Sequence, residues 1–181
     1  RANDKVYDEC DVGTIDSLPV ADIIWVVDES GSMDDNRTDI VNNANNFFSR
    51  ALSSGLDFRM GVTNVCDPSG SYKNIVGKLC SNISTNTSDD GGVDRFLLPS
   101  EQTIFSACIK NPPGYEGYSE YGLVNAKDAV TKHLPRATND PTKIRTNAKL
   151  VIIIATDEIP NELGSVLGYS SYKTCTLDAT T

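Results

Sequence analysis

The chain has 181 residues, enough for one domain with its own core, and its formal net charge of −9 argues against nucleic acid, which selects for basic surfaces. The longest apolar run, residues 150–155, is a strand length, well short of the roughly 18–20 residues that span a bilayer, so no transmembrane segment is predicted. Five cysteines, at positions 10, 66, 80, 108 and 175, form no CxxC pair and accompany a single histidine, which argues against zinc and, in a chain rich in Asn, Ser and Thr, for disulfides formed in an oxidising compartment.

Residues 1–20 are polar and read as an irregular lead-in that Cys10 could pin. Residues 21–27 follow as a strand. Ile23, Ile24, Trp25, Val26 and Val27 are continuously apolar, as in a strand buried on both faces. Asp28, Ser30 and Ser32 then recur at every second position, with Gly31 expected to permit a tight turn. Residues 33–37 read as a loop in which Asp34, Asp35 or Asn36 can cap a helix. Ile40, Val41, Ala44, Phe47, Phe48, Ala51 and Leu52 have helical spacing, and Gly55 ends that helix. Residues 58–65 form a second strand, which makes a βαβ unit with parallel strands and a right-handed crossover.

Residues 66–93 are Ser-, Asn- and Gly-rich and read as an insertion over the surface, of the kind that often carries function. Cys66 and Cys80 flank a loop within it and are the expected disulfide pair. An odd cysteine count leaves one either unpaired or with a partner outside this piece. Residues 95–98 suit a short edge strand stopped by Pro99. Residues 101–110 are a second helix, with Ile104, Phe105, Cys108 and Ile109 in register. Residues 111–118 must be a loop. Residues 122–134 are a third helix, closed by Pro135. Residues 149–155 form the most apolar strand, expected to be central, and end in Thr156, Asp157 and Glu158. Strands alternating with helices predict an α/β fold: Rossmann-like, three-layered, with a mainly parallel central sheet flanked by helices.

In such sheets ligands bind beyond the carboxyl ends of the strands. Asp28 and Asp157 both emerge there, each after a strongly apolar strand. Two carboxylates and two serine hydroxyls are hard oxygen donors that suit Mg²⁺, with Mn²⁺ and Ca²⁺ as the other compatible ions. They leave positions for water and an outside ligand.

The pattern D-x-S-x-S at Asp28, Ser30 and Ser32, with T-D after a later strand, resembles the von Willebrand factor type A family and its metal-ion-dependent adhesion site. The resemblance covers roughly residues 21–158. It makes residues 21–181 one domain of that type, with residues 66–93 inserted. D-E at Asp157–Glu158 and E-Y-G-L at residues 120–123 are similar to the exported bacterial branch. The resemblance implies metal ligation by Asp28, Ser30, Ser32 and Asp157, with the two aspartates acting through water. The threonine that the family places in its second metal loop is missing. Counting back from Gly122–Leu123 reaches Gly117, and Glu116, Ser119 and Glu120 are the nearby donors. Glu120 is the expected substitute. The family fold continues past residue 155 with further strands and helices, so this piece is either incomplete, with the rest held by another chain, or shortened.

The expected function is a metal-dependent adhesion or protein-binding module, not an enzyme. A divalent cation would bridge to a carboxylate on a protein or surface partner, or on the remainder of its own chain or a second subunit. The chain is expected to be secreted or at the cell surface, with lipid anchoring on a bacterial outer membrane as one form of attachment. No initiator Met or signal pattern starts the chain, which therefore reads as processed or trimmed. Two alternatives are weighed. A metal-assisted hydrolase or phosphotransferase also uses carboxylates at strand ends, but the pattern here is D-E-S rather than D-x-D, and no G-x-x-x-x-G-K-[ST] occurs. A structural subunit would use the metal only for stability. Bland readings exist for single residues: Asp28 as a helix cap, Glu158 as a solvated neighbour, His133 as a residue at a helix C-terminus. Tyr115, Tyr118 and Tyr121 either line an adhesive rim or pack locally. Asn36, Asn82 and Asn86 head N-x-S/T acceptor motifs.

Overall fold

The computed structural model describes residues 19–82, 92–114 and 120–161. Among them three strands form one all-parallel sheet: β1 (Val20–Val27), β2 (Asp57–Thr63) and β3 (Lys149–Ala155), in the order β2–β1–β3. Three α-helices accompany it: α1 (Asp34–Ser53), α2 (Gln102–Lys110) and α3 (Gly122–Lys132). The architecture is α/β and Rossmann-like.

Side-chain alternation on β1 builds the layers. Ala21, Ile23 and Val27 face one core with Phe48 of α1 and Phe105 of α2. Ile24 and Val26 face the other, with Ala126 and Ala129 of α3. A strand covered on both faces must be apolar at every position, which is how residues 23–27 read. Trp25 is half-buried, edge-on to Phe105, and takes its place at the margin of the first core.

Four sequence expectations are corrected. The most apolar strand is not central: among the described residues β1 lies between its neighbours and β3 lies at the edge. Val151, Ile152 and Ile154 are exposed on β3, whereas Ile24, Val26 and Val27 on β1 are fully covered. Apolar composition reports a tendency to be covered, and position in the sheet decides whether it is. Residues 33–37 are not a loop, because α1 starts at Asp34 after a single 3-10 turn. Residues 95–98 supply one antiparallel bridge, Leu97 to Met60, rather than a strand.

The fourth correction concerns the disulfide. Cys80 bonds Cys108 of α2, not Cys66. Cys80 N donates to Val62 O at 2.8 Å, which places Cys80 beside the penultimate residue of β2. Cys66 lies four residues farther along the chain than Val62, past the strand end. An extended chain covers about 13 Å in four residues, and a disulfide needs Cα atoms within about 7 Å. Cys66 Sγ instead donates to Glu29 Oε1 at 3.3 Å. Cys10 and Cys175 lie outside the described residues, as do Asn86, residues 1–18 of the lead-in and residues 162–181, while Val20, the last residue of the lead-in, belongs to β1.

The amino ends of the strands are joined by charge. Asp22 is fully buried on β1, and its register partner on β2 is Arg59. Arg59 Nε and Nη2 donate to its two carboxylate oxygens at 3.0 and 2.8 Å, and Arg145 Nε and N donate at 2.9 and 2.7 Å. Burial alone would raise the Asp22 pKa, but the hydrogen bonds and charges of Arg59 and Arg145 outweigh it and hold the carboxyl below its usual range. His133 follows α3 and is buried, with Nδ1 2.5 Å from Thr142 O and Nε2 3.1 Å from Asp94 Oδ1. No helix among the described residues is long and apolar enough to cross a membrane.

Candidate metal centre

The parallel sheet brings three chain segments together at the carboxyl ends of its strands. Asp28 follows β1, and Asp28 N donates to Ala155 O at 3.0 Å, which extends the β1–β3 pairing by one step. Thr156 and Asp157 follow β3 and therefore flank Asp28. Glu120 enters from the start of α3, where Tyr121 N donates to Val65 O at 2.8 Å and ties this segment to the end of β2.

The first loop is ordered by its own donors. Ser30 N donates to Asp28 Oδ1 at 2.7 Å, a turn that aspartate makes readily. The Ser30 and Ser32 hydroxyl oxygens are 2.9 Å apart, and Ser32 Oγ donates to Asp157 Oδ1 at 3.3 Å. Thr156 Oγ1 donates to Asp28 Oδ2 at 2.9 Å and also lies 3.3 Å from Glu120 Oε2. Asp28, Ser30, Ser32, Glu120 and Asp157 thus meet in one hydrogen-bonded cluster. Asp28, Ser30 and Glu120 are buried, and Ser32 and Asp157 are exposed. The cluster has a covered floor and an open rim.

Its electrostatics are one-sided. Burial pushes the Glu120 carboxyl up to about 8, with further repulsion from Asp28, Glu158 and Asp157. A hydroxyl has one proton, so Thr156 serves both carboxylates only if Glu120 carries a proton of its own. Glu29 is also pushed up, to about 7, chiefly by burial, against the hydrogen bonds from Val65 N at 3.2 Å and Cys66 Sγ. Among the described residues no Lys or Arg side chain pairs with Asp28, Glu120, Asp157 or Glu158.

Among the described residues no group of three or more His, Cys, Asp and Glu side chains is spaced to hold an ion unaided. The cluster here is mixed, with Ser30, Ser32 and Thr156 oxygens between the carboxylates, and neutral plus charged oxygen is a donor set that Mg²⁺ accepts. Gathered carboxylates that no described Lys or Arg side chain pairs with also fit such an ion.

Sequence reasoning misses three contributors. Thr156 figures there only as part of T-D, Glu29 only as the residue between two ligands, and Arg37, whose Nη1 donates to Asp28 O and Ser30 O, not at all. Arg37 sits nine residues past Asp28, and no spacing rule links a helix side chain to the loop before it. The expectation for Gly31 is overstated. Its φ is not positive, and a Cβ there would meet nothing within 4 Å. Glu116, Ser119, Tyr115 and Tyr118 lie outside the described residues. Tyr121 contributes its backbone to the tie with Val65. No known protein-family model matches the chain, and no curated protein sequence matches it.

Proposed function

We propose that the chain is a von Willebrand factor type A-like binding module. Asp28, Ser30, Ser32 and Asp157, with Glu120 in place of the second-loop threonine, hold a divalent cation, Mg²⁺ foremost. The observation that carries this reading is the meeting of three segments from β1, β3 and α3 in one oxygen-rich cluster with a buried floor and an exposed rim. A bound cation supplies attraction for a partner's carboxylate. The protein's own residues do the rest. With a cation in place of the Glu120 proton, Asp28 and Glu120 would hold charge at the floor, Ser30 and Ser32 offer neutral oxygens, and Asp157 stands at the rim where a partner approaches. The partner is a protein or surface that presents Asp or Glu.

Export to an oxidising compartment, as a secreted or cell-surface protein, is part of the same proposal. The Cys80–Cys108 disulfide supports it.

The test is binding of an acidic protein or surface partner with Mg²⁺, with EDTA, and with Asp28→Ala. We expect EDTA and Asp28→Ala each to abolish capture. Capture unaffected by both overturns the proposal.

A further inference from the structure

Arg37 has a placement that neither helix propensity nor core packing explains. It lies in the first turn of α1 and its side chain is only 7% exposed. Nη1 donates to Asp28 O at 2.7 Å and to Ser30 O at 2.8 Å. Nη2 pairs with Asp34, whose own side chain is largely exposed, and Nε has no partner among the described residues. A buried guanidinium is costly unless paired, and the pairing it ordinarily finds is a buried carboxylate. Here its described carboxylate partner, Asp34, is exposed, and Nη1 goes to two peptide carbonyls, those of the first and third residues of the D-x-S-x-S loop.

We infer that Arg37 is a positioning residue for the metal loop, an inference that rests on the metal reading above. The Asp28 peptide is tied on its other side, through Asp28 N to Ala155 O. Ser30 is tied through its N–H to Asp28 Oδ1. With Arg37 holding both carbonyls, the backbone of the loop is fixed from the helix side and the sheet side. The Asp28 carboxylate and the Ser30 hydroxyl keep only their rotamers to choose. The rigid fork of a guanidinium can serve two acceptors at once, which a lysine ammonium does less well. Arg37 also places positive charge behind the loop, at no cost in ligand positions in front of it. Outer residues that orient metal ligands typically contribute about 10- to 100-fold in affinity.

The experiment is Mn²⁺ binding by calorimetry on the whole chain, well below the melting temperature, for wild type, Arg37→Met, Arg37→Lys and Phe48→Ala. Phe48 belongs to the α1–sheet core away from the loop, so Phe48→Ala reports loss of stability without loss of loop order. We expect saturable binding by wild type and by Phe48→Ala, about tenfold or greater weakening in Arg37→Met, and partial recovery in Arg37→Lys. Arg37→Met binding within twofold of wild type, whatever its melting temperature, overturns the inference and leaves the metal reading intact. Wild type with no saturable binding overturns the metal reading and the inference together. Should Arg37→Met not fold, Arg37→Lys decides: several-fold weaker binding supports the inference, and wild-type affinity overturns it.

Discussion

Thr156 donates its hydroxyl to Asp28 Oδ2 at 2.9 Å across the seam between β3 and β1. The same oxygen accepts from Glu158 N at 3.1 Å. One side chain therefore orders the loop that follows its own strand and the carboxylate that follows the neighbouring one. Thr156→Val keeps the shape and removes the donor, leaving a buried carboxylate oxygen short of a partner. We expect a loss of about 1–3 kcal/mol in stability and roughly tenfold weaker Mn²⁺ binding, with Thr156→Ser near wild type. Denaturant titration and calorimetry check both. A Thr156→Val protein equal to wild type in both would remove Thr156 from the site.

Glu120 faces Asp28, Glu158 and Asp157 with burial against it. Glu120→Gln relieves this repulsion and takes away one charged ligand. The ion-free protein should melt at a higher temperature in EDTA, while Mn²⁺ affinity falls. The two opposite changes distinguish a ligand from a packing residue, which would move stability alone. Equal affinity in Glu120→Gln and wild type would return the second-loop ligand to the undescribed residues 115–119.

Asp22 is expected to contribute to stability in acid. Its pKa is held below the usual carboxylate range by Arg59 and Arg145. A depressed folded value means the stabilisation is complete above the unfolded pKa, near 3.8, and is lost as pH falls through the folded value. Asp22→Asn should cost about 3–5 kcal/mol at neutral pH, because it leaves buried arginine charge uncompensated. It should also flatten the acid limb of the stability curve. Urea titrations from about pH 2 to pH 7 test this, and an acid limb as steep as that of wild type would assign acid sensitivity elsewhere.

Gly31 opens the 3-10 turn before α1, with ordinary φ and open space where a Cβ would stand. Gly31→Ala should leave stability within about 0.5 kcal/mol of wild type and leave Mn²⁺ affinity unchanged. A large loss on either measure would mean that the loop needs a backbone conformation other than the one described. Gly55 differs, since it ends α1 with φ of 75° and an added side chain there would be strained.

Much of the fold is legible in the sequence because the signals are local. The apolar run at residues 23–27 and the helical spacing from Ile40 to Leu52 each describe one element and what covers it. The helix at α2 and the start of α3 at Gly122 are readable for the same reason. The disulfide is not. Cys66 and Cys80 are nearer in sequence, but the hydrogen bond from Cys80 N to Val62 O carries Cys80 back along β2 toward α2.

The sequence alone determined an α/β chain whose Asp28, Ser30, Ser32 and Asp157 stand where apolar strands end, because strand length and side-chain period are local physics. Only the tertiary structure decided that β1 is flanked by β2 and β3, that Thr156 and Glu120 reach Asp28, and that Arg37 grips the loop from behind. These depend on register and on where a helix turns its side chains after packing. Distances between residues far apart in sequence are set by the whole fold, and no spacing along the chain records them.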